Sequence, residues 1–145
     1  MIIRQSRDTL SPTYIDAVKI RQKVFVQEQG VPLSIEIDDK EALCLHIVAY
    51  DDKDIACATC RILPDSKFNK VTLQRMAVLA NYRGQKLGQF LMQETIAYCK
   101  KQGFKTMELH AQLTAKPFYD KLGFTSQGDI FQEAGIDHQT MVKEL

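Results

Sequence analysis

The sequence predicts a single α+β domain over residues 1–145, with an αβα layering in which a mixed central β-sheet is flanked by helices. The order of its segments is the first reason. A hairpin of two apolar runs is followed by strand, helix, strand, helix and two closing strands, and this order gives a mixed sheet covered by helices. Size is the second reason, because 145 residues form one domain with enough chain to bury a core. No linker, repeat or low-complexity segment divides the chain.

The N-terminal part is predicted to contain a short strand at residues 2–5 and a helical segment that reaches to about residue 29. Ser11 and Pro12 mark the start of the helix, with the serine as cap and the proline in the first helical position. The sequence Gly-Val-Pro at residues 30–32 ends it.

Residues 34–41 are predicted to form a loop or a short helix that carries four carboxylates. These are Glu36, Asp38, Asp39 and Glu41. Such a run of like charges is either a solvated surface or a patch that attracts a cationic ligand over long range. The residues alone leave both interpretations open.

Three β-strands are predicted in the middle of the chain, at residues 43–50, 55–63 and 71–78. The first two form a hairpin, because the turn between them is short and polar. In the third strand the apolar residues change parity between Leu73 and Met76, so a regular strand cannot keep all of them on one face. A β-bulge near residues 74–76 would restore a common face.

A donor-rich loop leads from this strand into the longest predicted helix, residues 87–102. The loop residues are Arg83, Gly84, Gln85, Lys86, Leu87 and Gly88. Its two glycines allow a tight turn. Because the first backbone N–H groups of a helix have no partner inside the helix, the loop is an anion-binding site by construction. The absence of a P-loop and of GxGxxG disfavours other kinds of diphosphate loop.

The C-terminal part completes the predicted sheet. Gly103 ends the long helix. The remaining elements are a strand at residues 105–110, a short helix at 115–122 and two closing strands at 124–131 and 136–143.

Composition excludes several classes of function. The net charge is +1, which gives no sign of nucleic-acid or membrane affinity. The N-terminus has no apolar leader, and no stretch approaches 18 consecutive apolar residues, so a cytoplasmic protein is expected. Cys57 and Cys60 have CxxC spacing, but no second pair follows. A strand would also point the two thiols to opposite faces, so we expect reduced, buried cysteines and no metal.

Two separated motifs resemble the GNAT superfamily of N-acetyltransferases. The loop pattern there is Arg or Gln, two residues, Gly, one residue, and Gly or Ala, which Arg83 and Gly88 match while Lys86 stands where Gly is usual. The tract at residues 112–124 has Gln112 in place of the usual Asn and then matches the family, including Tyr119. Residues 24–32, 109–112 and 135–138 resemble a bacterial subgroup of largely unassigned substrate.

The resemblance implies the GNAT acyl-CoA N-acyltransferase fold, with acetyl-CoA as co-substrate and a primary amine of a small molecule or peptide as acceptor. It implies direct attack of the amine in a ternary complex, by a monomer or homodimer. The diphosphate would lie on the amides of residues 83–88, with Gln112 nearby. A backbone N–H of the central strand, in the segment Met76, Ala77 and Val78, would hold the thioester carbonyl. Tyr119 would donate a proton to the departing thiolate, which suits a phenol with an ordinary pKa of about 10.

The general base and the acceptor site are less defined by the sequence. Glu28, His110 and His138 each lie in a subgroup-like stretch and are candidate bases, with His46 as a weaker one. Phe25, Glu28, Glu36 and Asp38 are candidate acceptor-binding residues, because the acidic loop would border the acceptor side of the cleft.

Two alternative functions are compatible with the same fold. Arg21, Val24, Phe25, the pair Glu36 and Asp38, and Arg61 also resemble acyl-homoserine-lactone synthases, although this chain lacks the tryptophan that those enzymes usually carry. The third possibility is a non-catalytic sensor that binds acyl-CoA.

Overall fold

The computed structural model describes residues 1–145 and contains one seven-stranded sheet with the order β1-β2-β3-β4-β5-β7-β6. The strands are β1 Ile2–Ser6, β2 Leu45–Tyr50, β3 Ala56–Asp65, β4 Lys70–Val78, β5 Thr106–Gln112, β6 Thr125–Glu133 and β7 Ile136–Glu144. Only β4 and β5 pair in parallel, and every other pair of neighbours is antiparallel. The predicted mixed α+β sheet is therefore confirmed.

Four α-helices cover the sheet: α1 Pro12–Arg21, α2 Leu33–Glu36, α3 Leu87–Lys101 and α4 Lys116–Lys121. The predicted start of α1 is confirmed, since Ser11 accepts a hydrogen bond from the Tyr14 backbone and Pro12 occupies the first turn. No helix is long and apolar enough to cross a membrane.

The first helical segment extends to about residue 29, as predicted, but its second half is not an α-helix. A π-helix, Gln22–Glu28, follows α1, and its wider turn is closed by a hydrogen bond from Gln29 N to Val24 O at 3.2 Å. In a regular helix Val24 and Glu28 would share one face. In the π-helix Val24 is buried in the core, and Phe25 and Gln29 line a cleft between β4 and β5.

The predicted bulge in β4 is present. Thr59 and Arg61 of β3 pair with Ala77 and Gln74 of β4, so β4 has one residue more than β3 between the two pairs. Arg75 lies within this extra length and has a φ of 58°. A left-handed conformation costs a residue other than glycine about 1–2 kcal/mol.

The bulge has the effect on side-chain direction that the parity change predicts. Val71 and Leu73 are buried in the core beneath α3, and Met76 and Val78 pack against the same core. Parallel pairing with β5 ends at Leu73 opposite Leu109. Beyond that point β4 and β5 separate, and the β4 amides that face β5 have no strand partner.

One expectation about the cysteines is wrong. Cys57 and Cys60 belong to the same hydrophobic cluster rather than to opposite faces. Ala49 and Tyr50 of β2 pair with residues 58 and 56 of β3, so Cys57 is an extra residue that breaks the alternation. All four cysteines are free and buried, as the sequence predicts.

Candidate active site

A cleft of about 630 Å³ lies where β4 and β5 separate. Its walls come from both strands, from the π-helix, from α4 and from the hairpin between β6 and β7. Residues from these walls include Phe25, Met76, Gln112, Tyr119 and Glu133. The opening exists because the bulge turns β4 away from β5, so a local feature of one strand creates the site.

The donor-rich loop stands at one end of the cleft, directly before α3. Gly84 and Lys86 both have positive φ values, 79° and 60°. Lys86, which stands where the GNAT motif usually has glycine, therefore adopts a conformation that glycine takes without steric cost. No side chain caps α3. The N–H groups of its first turn are thus available to an anion, as expected.

Gly88 is required for close packing and not for an unusual φ. A Cβ atom at this position would lie 3.3 Å from Cε of Met76, 3.4 Å from Cγ2 of Val78 and 3.5 Å from Cζ of Phe118. The first turn of α3 thus sits directly against the bulged part of β4 and against α4. A larger residue here would push the donor loop away from the cleft.

Two side chains that the motifs predict to lie near the coenzyme, Arg83 and Gln112, contact residues at the end of the π-helix. Arg83 donates to Glu28 Oε2 at 2.8 Å and to the Val78 carbonyl at 2.9 Å. Gln112 donates to Oε1 of Gln29 at 2.9 Å. Glu28 is thus held in an ion pair that is exposed to solvent, a less favourable position for a base than a free carboxylate.

Tyr119 lies on α4 with only 6% of its surface exposed and lines the cleft. Phe118 and Phe124 contact its ring edge-to-face, with centroid distances of 5.0 and 5.8 Å. Its hydroxyl has no hydrogen-bond partner within the protein, and burial raises its pKa above the ordinary value. The phenol therefore stays protonated at neutral pH and is available as a donor to a group in the cleft.

Two of the predicted bases, His110 and His138, are brought together by a residue that the sequence analysis missed. Glu133 at the end of β6 lies 3.3 Å from Nδ1 of His110 and 3.7 Å from Nε2 of His138. The hydrogen bond to Glu133 raises the pKa of His110, and that bond lowers the pKa of Glu133 in return. His138 Nδ1 lies 2.7 Å from the Ile136 carbonyl.

These histidines differ in their free nitrogen atoms. When Nδ1 of His110 donates to Glu133, its Nε2 has no protein partner and keeps a lone pair to accept a proton. When Nδ1 of His138 donates to Ile136, its Nε2 already faces Glu133. No group of three or more His, Cys, Asp or Glu side chains in the chain has the arrangement of a metal site.

The acidic loop is neither a solvated surface nor a free patch of charge, which corrects both of its predicted interpretations. Three of its carboxylates are paired with three arginines: Glu36 with Arg21 and Arg75, Asp38 with Arg61 and Arg75, and Glu41 with Arg21 and Arg61. Only Asp39 is exposed without a salt-bridge partner. We call these six charged side chains the arginine–carboxylate network.

Burial makes the network different from a surface ion pair. The side chains of Arg21, Arg61 and Glu36 are each at most 3% exposed. Burial by itself would raise the pKa of Asp38, but the hydrogen bond from Arg61 and the one from the Lys40 backbone outweigh it and lower that pKa. Glu36 and Asp38 line the cleft, yet their charges are already compensated.

His46 lies outside the cleft. It is buried beside Tyr14, and its Nε2 lies 2.7 Å from the Glu41 carbonyl. Desolvation lowers its pKa, so the neutral form is favoured. Its role is to support the loop that carries Glu41, which leaves His110, His138 and Glu28 as the candidate bases.

Comparison with known proteins connects this geometry to a family. Residues 13–145 match a family described as acetyltransferase (GNAT) domain. A protein of Bacillus subtilis (strain 168) named as an acetyltransferase is 36% identical over 131 residues, which cover 88% of this chain and 87% of that protein.

Solved structures show the same fold. A Lactobacillus plantarum protein named as an N-acetyltransferase superimposes with a TM-score of 0.90 at 29% identity, covering 99% of this chain and 97% of that one. Escherichia coli ElaA gives a TM-score of 0.87 at 29% identity, covering 99% and 100%.

Two more distant structures show the fold alone. An aminoglycoside 6'-N-acetyltransferase complexed with coenzyme A is 16% identical with a TM-score of 0.73, covering 99% of this chain and 97% of that one. The acyl-homoserine lactone synthase BjaI is 15% identical with a TM-score of 0.81, covering 99% and 82%.

Proposed function

The chain belongs to the GNAT acetyltransferase family and is an acyltransferase, and on this premise we propose that it transfers the acetyl group of acetyl-CoA to a primary amine of a small molecule or peptide. The observation that carries the proposal is one cleft that combines two kinds of donor. Backbone amides of β4 without a strand partner line it, and so does the phenol of Tyr119, which has no hydrogen-bond partner in the protein.

Coenzyme A is proposed to enter between the separated strands with its diphosphate at the start of α3. The amides of residues 83–88 suit an anion, because the helix dipole and the unpaired N–H groups both favour negative charge there. Lys86 adds a positive charge at the same place. The likeness to a solved acetyltransferase with bound coenzyme A supports this assignment at the level of the fold.

Within the β4 segment Met76, Ala77 and Val78, the amides that face away from β3 are proposed to stabilise the thioester carbonyl. As the amine nitrogen forms its bond to the carbonyl carbon, the carbonyl oxygen becomes negative and fixed N–H donors lower its energy. The C–S bond then breaks and the electron pair leaves on sulfur. Tyr119 supplies a proton to that thiolate and regains one from solvent.

His110 is the base that the geometry favours among the candidates. Glu133 accepts from Nδ1 and so fixes the tautomer that leaves Nε2 free, in the manner of a carboxylate that orients a catalytic histidine. We propose that Nε2 takes a proton from the acceptor ammonium, directly or through a water molecule. His138 and Glu28 are the remaining candidates, each with the relevant atom already engaged.

The acceptor is proposed to lie on the α1 side of the cleft. Phe25, from the π-helix, gives this side an apolar surface, and Glu36 and Asp38 contribute carboxylates that are already paired. Because the network is close to neutral, long-range attraction of a cationic amine by this loop is weaker than four free carboxylates would give. Shape and short-range contacts therefore select the acceptor.

The test is release of thiol from acetyl-CoA across a panel of polyamines, amino acids, aminoglycosides, amino sugars and peptide N-termini. Turnover with at least one amine, and an N-acetylated product by mass spectrometry, is expected. Transfer of longer acyl groups to S-adenosylmethionine would favour the acyl-homoserine-lactone synthase alternative. Binding of coenzyme A with no turnover on any amine would favour a sensor.

A pair of variants tests the coenzyme site in the same assay. Gly88→Val introduces branches that meet Met76 and Phe118, so acetyl-CoA affinity is expected to fall by about tenfold or more. Gly88→Ala adds only the Cβ atom, whose tightest contact at 3.3 Å is with the flexible end of Met76, so it should cost less than Gly88→Val and is the graded control. An intact Gly88→Val protein with unchanged acetyl-CoA affinity would contradict the placement of the coenzyme.

A further inference from the structure

Arg75 is the residue of the β4 bulge with a left-handed backbone. Its side chain reaches the acidic loop, residues 34–41. Its Nε lies 3.1 Å from Glu36 Oε2, and its Nη2 lies 3.3 Å from Asp38 Oδ2. The guanidinium also donates to the carbonyls of Ile35 and Glu36 at 3.3–3.4 Å. One side chain thus connects the bulge to α2 and to the loop after it.

The partners of Arg75 are themselves fixed from the other side. Arg21 donates to Glu36 at 2.8 Å, and Arg61 donates to Asp38 at 2.8 Å. Both of these arginines are about 99% buried, on α1 and β3. Glu36 is therefore a buried anchor for Arg75, and Asp38, whose side chain is 26% exposed, is held in place by a buried arginine.

The backbone at this position carries a steric cost that a simple bulge does not require. Glycine is the residue that adopts a positive φ without strain, yet the chain has arginine here. The guanidinium contacts offset the strain and select one conformation of the bulge. That conformation is the one in which the following amides have no partner on β5.

We propose that Arg75 is a positioning residue for acetyl transfer, one that locks the β4 bulge so that the amides of residues 76–78 that face away from β3 stay directed at the thioester carbonyl. The inference rests on the proposed function. Beyond that function, the inference assigns a role to the acidic loop: through Glu36 and Asp38 it sets the geometry of the amides that stabilise the oxyanion. Arg75 acts through backbone atoms and does not itself contact the reacting groups.

Amide NMR spectra of the ¹⁵N-labelled chain test the inference without need of turnover. Spectra with saturating acetyl-CoA and with saturating coenzyme A isolate the effect of the acetyl group. In the wild type the amides of residues 76–78 are expected to differ between the two ligands. In Arg75→Gly, which removes both the anchor and the backbone strain, this difference should shrink to less than half. The amides of residues 84–88 should still respond to coenzyme A.

Kinetics provide the second readout. The substrate is the amine that the wild type acetylates fastest. Arg75→Gly should lower kcat by about 100-fold, because displacing catalytic groups by about 1 Å has an effect of this size. The acetyl-CoA KM should change less than about threefold. Arg75→Lys should recover part of the loss because it keeps the charge. Arg4→Ala removes an arginine from an exposed ion pair with Asp54 and should retain full activity.

The outcomes separate the inference from the proposed function. A folded Arg75→Gly chain with wild-type kcat and wild-type amide differences overturns the positioning role. The positioning role is supported if the amide signals of residues 76–78 differ between acetyl-CoA and coenzyme A in the wild type and this difference is lost in Arg75→Gly. This holds even if no amine of the panel is acetylated. A wild type that binds no acetyl-CoA overturns both.

Discussion

The two faces of the central sheet are stabilised by different forces. The face beneath α3 and α4 holds a contiguous core of 19 buried apolar residues. The face beneath α1 holds only six, and beside them lie buried charged and polar side chains: Arg21, Arg61, Glu36, Glu41 and His46. Coenzyme binding is proposed on the first face and acceptor binding on the second.

This difference shows how the chain combines a common fold with a site of its own. The apolar face needs only hydrophobic side chains at regular spacing, which many sequences supply. The charged face needs specific partners, because removal of one member leaves a buried charge without compensation. The acceptor side is therefore the part in which a single substitution has the largest consequences.

The largest effect is expected from Glu36→Ala. It removes one of the two carboxylates that pair with Arg21 and one of the two that pair with Arg75, so the network keeps an uncompensated positive charge in a buried setting and the free energy of unfolding should fall by about 3–5 kcal/mol. Urea unfolding followed by circular dichroism measures it. Arg4→Ala, in a pair exposed to solvent, should lower the free energy of unfolding far less. Equal costs for the two variants would show that burial does not distinguish the network.

The same contrast explains what the sequence could predict. Local patterns were sufficient for the apolar face and the donor loop: the parity change at Leu73 and Met76 predicted the bulge, and the motif at residues 83–88 predicted the start of α3. The arginine–carboxylate network joins residues up to 39 positions apart, so no local pattern reveals it.

Two further features were beyond sequence reasoning for separate physical reasons. The π-helix has the same apolar residues as a regular helix and differs only in its turn width. Glu133 reaches His110 because β6 and β7 pair with an irregularity between Gln127 and Phe131, which changes the register near the hairpin. A carboxylate just before the Ala-Gly turn at residues 134–135 was the only available signal.

On the apolar face, Tyr119→Phe is the sharpest test because it removes one hydroxyl and keeps the ring contacts with Phe118 and Phe124. If the phenol protonates the departing thiolate, kcat should fall by about 100-fold and acetyl-CoA affinity should stay within about twofold. Steady-state kinetics and calorimetry separate the two quantities. Full activity would return Tyr119 to a packing role, provided that a pre-steady-state burst excludes slow product release.

Glu133→Gln tests the opposite side of the cleft through its pH dependence. Glu133 raises the pKa of His110, and a base acts when it is deprotonated, so the variant should reach full kcat/KM at lower pH than the wild type. An unshifted profile would exclude His110 as the base.

Stability gives an independent check of the same pair. The pKa of His110 is raised in the folded chain. Its contribution to the free energy of unfolding is therefore present below its unfolded pKa and is lost as pH rises through its folded pKa. Glu133 has a lowered pKa, so its contribution is lost as pH falls. The wild type should therefore be more stable than Glu133→Gln near pH 5.5, and this advantage should decrease by about pH 8. An advantage that is equal at both pH values would contradict the ion pair.

The smallest effect is expected where the two sides meet, at the pair of Glu28 with Arg83. The pair is exposed, with 37% and 47% of the side chains accessible, so its loss in Glu28→Gln should cost less than about 1 kcal/mol of stability. The variant also frees Arg83 to interact with the coenzyme diphosphate, so the acetyl-CoA KM should fall by no more than about fivefold, with greater effect at low salt. The value of kcat should not change, because His110 and not Glu28 is proposed as the base. A large fall in kcat with unchanged acetyl-CoA affinity would instead identify Glu28 as the proton acceptor and move the chemistry to the π-helix.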